Sequence, residues 1–105
     1  RIVPSVMQLI SFITDFSLDP EQAMHQPRID VSGTGQVVAD AAFDPLLLEN
    51  MAARVDKLTT AEHGVYPSLF GCPSVASFDP LTGFSTGAAF VMSPLAAAVA
   101  EPAND

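Results

Sequence analysis

Apolar residues recur at Val6, Leu9, Ile10, Ile13 and Phe16, the spacing of one helix face. Pro4 suits a first helical turn, where its missing N–H costs nothing. Gln8, Ser11 and Asp15 fall away from the stripe, while Met7 and Phe12 widen it. The pattern predicts a helix over residues 4–16, buried on most of its sides. Asp19-Pro20-Glu21-Gln22 then reads as a second helix start: a capping aspartate, proline at the first helical position, and glutamine three residues after the cap. Leu18 can staple onto Ala23. Pro27 disfavours helical geometry at Gln26, so this helix is short, over 20–26.

The period then changes. Ile29-Asp30-Val31 alternates like a strand, Gly33-Thr34-Gly35 is a turn, and residues 36–39 form a second strand, which together predict a hairpin. Asp44-Pro45 repeats the cap-plus-proline signal and opens a helix over 45–55. Leu47, Leu48, Met51 and Val55 share one side of it, Phe43 can staple onto Leu48, and Arg54 suits its C-terminal dipole. Residues 57–61 read as a strand and residues 63–73 as a loop punctuated by Gly64, Pro67, Gly71 and Pro73. Strands over 74–78 and 85–91 flank the turn Asp79-Pro80-Leu81-Thr82-Gly83. Residues 95–105 are Ala-rich and then polar, and are expected to form a flexible tail or to depend on a missing neighbour. The expected fold class is α/β in the α+β sense: one domain, residues 1–105, with three helices on a mainly antiparallel sheet.

Charged residues make up only 15% of the 105 positions, against 49% hydrophobic ones. That is a globular composition with few charges to cover a wet surface, so a large buried interface or a missing partner segment is expected. The net charge is −8, with Arg1, Arg28, Arg54 and Lys57 as the only bases. No basic patch can be assembled from these, which argues against nucleic acid and anionic membranes as partners. The longest apolar-rich stretch without charge, Ile2–Thr14, is too short to span a bilayer. Arg1 leads directly into the helix pattern without a signal-peptide arrangement or an initiator Met, so the chain is expected to be a piece of a longer protein. Cys72 is the single cysteine, which forbids an internal disulfide and leaves the compartment open.

Few residues here could carry chemistry. His25 and His63 are the only histidines, and a metal site needs both to converge with a third ligand such as Asp30 or Cys72; no spacing supports this. Cys72 with a histidine and an acid is an imaginable nucleophile set, but a lone cysteine in an apolar segment more often behaves as a small hydrophobe. Gly33-Thr34-Gly35 lies between strands with no helix start directly after it, so a hairpin turn is favoured over a phosphate loop. Thr59 and Thr60 are strand residues, and neither is N-terminal, so neither has its own α-amino group as a base. Arg28, after Pro27 at a strand entry, is either half of a structural salt bridge, for example to Asp30 or Asp15, or an anion contact. The residues thus assign no catalytic, cofactor-binding or metal-binding position.

Arg1-Ile2, Val6-Met7-Gln8, Asp15, Ala23 and Pro27-Arg28-Ile29 stand in the order and spacing of one known pattern. It resembles the C-terminal part of the small subunit of the γ-glutamyltranspeptidase family. There Arg-Ile is followed by a Val-(Leu/Met)-Gln helix, an Asp-x-Gly/Ser break and Ala-x-x-x-Pro-Arg-(Ile/Phe). The helix after residue 45 and the strand pair ending in Gly87-Ala88-Ala89 agree more loosely.

The resemblance implies part of the αββα sandwich of an N-terminal-nucleophile hydrolase. In that family self-cleavage exposes a threonine whose hydroxyl attacks a γ-glutamyl amide, with its own amine as base. The resulting acyl-enzyme passes the γ-glutamyl group to water or an amino acid. Both the threonine and the glycine pair of the oxyanion hole precede the matched stretch, so no catalytic residue carries over. The implied role is support: the first helix starts beneath the oxyanion loop and fixes its backbone. The implied partner is the remainder of the polypeptide, meaning the large subunit and the N-terminal part of the small one. Two readings stay open beside it: a self-associating α/β interaction module that forms a homo-oligomer through its apolar first helix, and a small metal or thiol enzyme using Cys72 and His63.

Overall fold

The computed structural model describes residues 2–33, 35–62, 64, 69–90 and 92–102. Their order is α1 (Ile2–Thr14), α2 (Pro20–Met24), β1 (Ile29–Asp30), β2 (Val37–Asp40), α3 (Pro45–Ala52), β3 (Leu58–Ala61), β4 (Ser74–Phe78) and β5 (Ser85–Ala89). This is the expected mixed α+β chain, with two of three strand pairings antiparallel.

α1 starts two residues earlier than the pattern predicts, because Pro4 is tolerated anywhere in the first turn, where N–H groups have no intrahelical partner. It also ends earlier, at Thr14. The Leu18 N–H reaches back to the Phe12 carbonyl at 3.0 Å, and Ser17 takes a left-handed φ of 56°. That closure spans seven residues, one more than the usual 6→1 helix stop, with serine in the left-handed position where glycine is commonest. α2 opens as its sequence dictates: Asp19 accepts from the Gln22 N–H at 2.7 Å while the Gln22 side chain accepts from the Asp19 N–H at 3.0 Å. Asp44 likewise caps α3, accepting from the Leu46 N–H.

β1 and β2 form the expected hairpin, Ile29 opposite Ala39, although its turn residue Thr34 lies outside the described residues. β2 then pairs in parallel with β3, Val37 opposite Leu58, with α3 in the crossover a parallel pairing requires. The second sheet is the antiparallel ribbon β4–β5, Ser74 opposite Ala89. Its turn is closed by Asp79 N–H to Phe84 O and Gly83 N–H to Asp79 O, with Gly83 at a φ of 74° that suits glycine.

The core lies where α1 and α2 meet β5. Leu9, Ala23, Met24 and Ala88 are buried together, with Phe12, Ile13, Leu18 and Val75 packed around them. The buried face of α1 is therefore rotated from the predicted one. Ser5 and Leu9 are buried, Gln8 is half-buried, and Val6, Ile10 and Phe16 of the expected face are exposed. Gln8 turns inward because it bonds both main-chain groups of Ile29. α3 buries no residue fully; Leu48, Met51 and Val55 of its predicted side are half-buried, whereas Leu47 is exposed. No helix among the described residues is long and apolar enough to cross a membrane.

Candidate functional site

The best-organised polar feature is the joint between α1 and β1. Pro27 ends the helical geometry and extends the chain, so Arg28 enters β1 pointing under α1. Its carbonyl accepts from the Asp40 N–H at 2.9 Å, continuing the β1–β2 ladder by one residue. The Arg28 side chain has 0% exposure. Nη1 donates to the Ser5 hydroxyl at 2.8 Å, and the Phe90 ring lies 5.0 Å from Cζ, a cation–π distance. Nε and Nη2 have no hydrogen-bond partner among the described residues.

Burial lowers the pKa of Arg28, while the carboxylate of Asp40 and, less strongly, Cys72 act to raise it. The hydrogen bond goes to Ser5 and the larger electrostatic support comes from Asp40, where the sequence suggested Asp30 or Asp15. Both alternatives are engaged locally: Asp30 accepts from the N–H and hydroxyl of Ser32, and Asp15 accepts from the Ser11 hydroxyl.

Three residues along, Gln8 makes a second tie to the same strand. Its Oε1 accepts from the Ile29 N–H at 2.7 Å and its Nε2 donates to the Ile29 carbonyl at 2.8 Å. These bonds satisfy the outward main-chain groups of β1 where no neighbouring strand does so. Beside Arg28, Asp40 and Phe90 also line a cavity of about 470 Å³, together with Met24, His25, Glu62 and Met92. Its described lining mixes apolar side chains with two carboxylates and contains no serine, threonine or cysteine to act as nucleophile.

The other sequence candidates are not brought together. His25 is exposed on α2 and pairs with Glu21 at 3.0 Å. Cys72 is exposed, and His63 lies outside the described residues. No group of three or more His, Cys, Asp or Glu that could hold a metal occurs among the described residues. Thr59 accepts from Gln36 Nε2 across β2 and β3 at 2.9 Å, and Thr60 is exposed on the same strand. The sequence did not single out Ser5 or Phe90, and it showed Gln8 only as an outward polar position and a member of the matched pattern. The available signal was weak: a serine one turn before Leu9, and a glutamine within an otherwise apolar helix.

No family model matches the chain, and no curated protein matches it in sequence. Solved structures do match in fold. A cephalosporin acylase from Bacillus halodurans superimposes with a TM-score of 0.74 at 24% identity, over 85% of this chain and 16% of that one. An acivicin-inhibited γ-glutamyltranspeptidase, with critical roles for its C-terminus in autoprocessing and catalysis, gives 0.70 at 15% identity, over 89% of this chain and 48% of that one. The W525D mutant of γ-glutamyltranspeptidase from Pseudomonas nitroreducens gives 0.68 at 16% identity, over 93% and 49%. The chain thus shares the fold of part of these acylase and γ-glutamyltranspeptidase chains, and it spans less than half the length of each of the three.

Proposed function

We propose that this chain is the C-terminal portion of the small subunit of a γ-glutamyltranspeptidase-like enzyme, supporting an active site carried by the rest of the polypeptide. The carrying observation is the match in fold to partial chains of γ-glutamyltranspeptidases and an acylase. Four of the matched residues, Gln8, Ala23, Arg28 and Ile29, support it, because they lie at one joint of the fold. Gln8 of Val6-Met7-Gln8 bonds Ile29 of Pro27-Arg28-Ile29, Arg28 bonds the Ser5 hydroxyl, and Ala23 sits in the core beside Leu9. The motif therefore reads as a set of residues that seat α1 on β1 and α2.

In this reading the reaction is γ-glutamyl transfer or hydrolysis by a terminal threonine elsewhere in the polypeptide. The contribution of this chain is rigidity under the loop that holds the oxyanion, where small displacements are costly to rate. The test is release of the aniline from a γ-glutamyl anilide. The full-length protein is expected to turn it over, and the isolated chain to release none. Turnover by the isolated chain overturns the supporting role. A full-length protein that cleaves only acyl amides of the cephalosporin type overturns the γ-glutamyl assignment. The exposed apolar side of α1 favours one second reading, a self-associating module without catalysis. Sedimentation at low micromolar concentration separates the two, since that module requires a defined oligomer.

A further inference from the structure

β5 carries a glycine that its backbone conformation does not call for. Gly87 lies in mid-strand, without the left-handed φ of Gly35, Gly71 and Gly83. The position calls for room instead. A Cβ placed there would lie 3.2 Å from the Ala98 Cβ, tighter than ordinary van der Waals contact, and 3.8 Å from the Val99 nitrogen. Glycine inside a strand commonly marks such an approach of another stretch of backbone. The methyl of Ala98 thus takes the space that a side chain at position 87 would fill.

The chain reaches this seat by doubling back after β5. The Ser93 N–H donates to the Phe90 carbonyl at 3.1 Å and the Ala96 N–H to the Ser93 carbonyl at 3.1 Å, two successive turns that share Ser93. The returning segment is held at both ends: by Phe90, buried against Arg28, and by Ala98 against Gly87. Between them Met92, half-buried beside Ser93, lines the cavity of about 470 Å³ together with Met24, Asp40, Glu62 and Phe90. The outer part is lightly held. Leu95 is 88% and Val99 93% exposed, the low burial of a segment that opens locally while the rest stays folded.

We propose that residues 92–98 are a lid on this cavity, hinged at Phe90 and latched where Ala98 meets Gly87. Latched, the two turns hold Met92 in the cavity wall. Unlatched, the segment is a free tail tied only at Phe90, and the cavity opens onto Met24, which is 2% exposed in the latched form. The lid uses contacts of this chain alone, so it stands whether or not the parent enzyme acts on γ-glutamyl groups.

The experiment follows peroxide oxidation of Met24 to its sulfoxide in the full-length protein by peptide mass spectrometry, since a buried thioether reacts when it is uncovered. Gly87→Val suits strand geometry yet fills the space of Ala98. It is expected to speed Met24 oxidation on the order of tenfold and to remove amide protection from the segment after Phe90, with protection of β4 and β5 kept. In Gly87→Ala/Ala98→Gly the methyl moves across the same gap, and both readouts should return to wild type. Met24 oxidation in Gly87→Val at the wild-type rate overturns the proposal. So does amide exchange after Phe90 that is as fast in the wild type as in urea. Where valine loosens β5 itself, the alanine pair decides. Gly87→Ala faster than wild type, with the double variant restored, upholds the latch; a double variant no slower than Gly87→Ala overturns it.

Discussion

The Arg28 guanidinium donates to the Ser5 hydroxyl at 2.8 Å, joining two residues 23 apart in sequence on different elements. It does so fully buried, with two of its nitrogens lacking a hydrogen-bond partner among the described residues. A partly satisfied buried cation is costly, and an apolar side chain of similar volume often replaces it with little loss. Arg28→Ala, which leaves a void against Phe90, is expected to destabilise by about 3 kcal/mol. Arg28→Met, which fills the space, should cost less than half as much. Urea unfolding of the full-length protein checks both, and equal losses for the two variants would show that charge beside Asp40 outweighs packing.

Gln8 satisfies the N–H and carbonyl of Ile29 with one side chain. Gln8→Ala strands both groups and is expected to cost about 2 kcal/mol, in line with unmade buried hydrogen bonds. Gln8→Glu keeps the acceptor and loses the donor, so it should fall between wild type and alanine. Amide exchange at Ile29 reports the same loss locally, and unchanged protection in Gln8→Ala would contradict it.

Ser17 holds a φ of 56°, a conformation that costs a residue with a Cβ about 1–2 kcal/mol more than glycine. Ser17→Gly is therefore expected to raise stability by about 1 kcal/mol, less the entropy glycine adds to the unfolded chain. Thermal unfolding of the variant gives the answer, and a lower midpoint would mean that the serine side chain matters more than its backbone.

The Asp79 carboxylate is held below the usual carboxylate range, first by the Leu81 N–H and then by the Thr82 hydroxyl. A lowered folded pKa means that the ionised form supports the β4–β5 turn. That support is complete above the ordinary carboxylate range and is lost as pH falls through the lowered value. Carboxyl-carbon NMR titration should place Asp79 below a random-coil aspartate, and Asp79→Asn should lose turn order at neutral pH. A normal titration midpoint would refute the turn as the cause.

Much of the fold was legible because its signals are local. Asp19 and Gln22 cap α2 by rules that involve three neighbouring residues, and the Asp79–Gly83 turn announces the β4–β5 ribbon. The side of α1 that is buried was not legible. Val6, Ile10 and Phe16 look as fit for a core as Leu9, and the choice was made by Ser5 and Gln8, polar residues whose partners lie 23 and 21 positions away. The parallel pairing of β2 with β3 was equally hidden, since strand direction depends on the path through α3 rather than on either strand. At the site, Arg28 was visible as unusual but its surroundings were not, because Phe90 reaches it from the far end of the chain.

The two polar ties of α1 also settle a matter of handling rather than strength. A helix greasy on several sides has many rotational settings of nearly equal energy, because one aliphatic surface packs much like another. Hydrogen bonds do not slide in that way. Ser5 and Gln8 work as a key in a slot: a turn of the helix about its axis by one residue breaks three bonds at once. The joint thereby selects a single angular setting, which decides which side chains the helix presents to whatever lies above it.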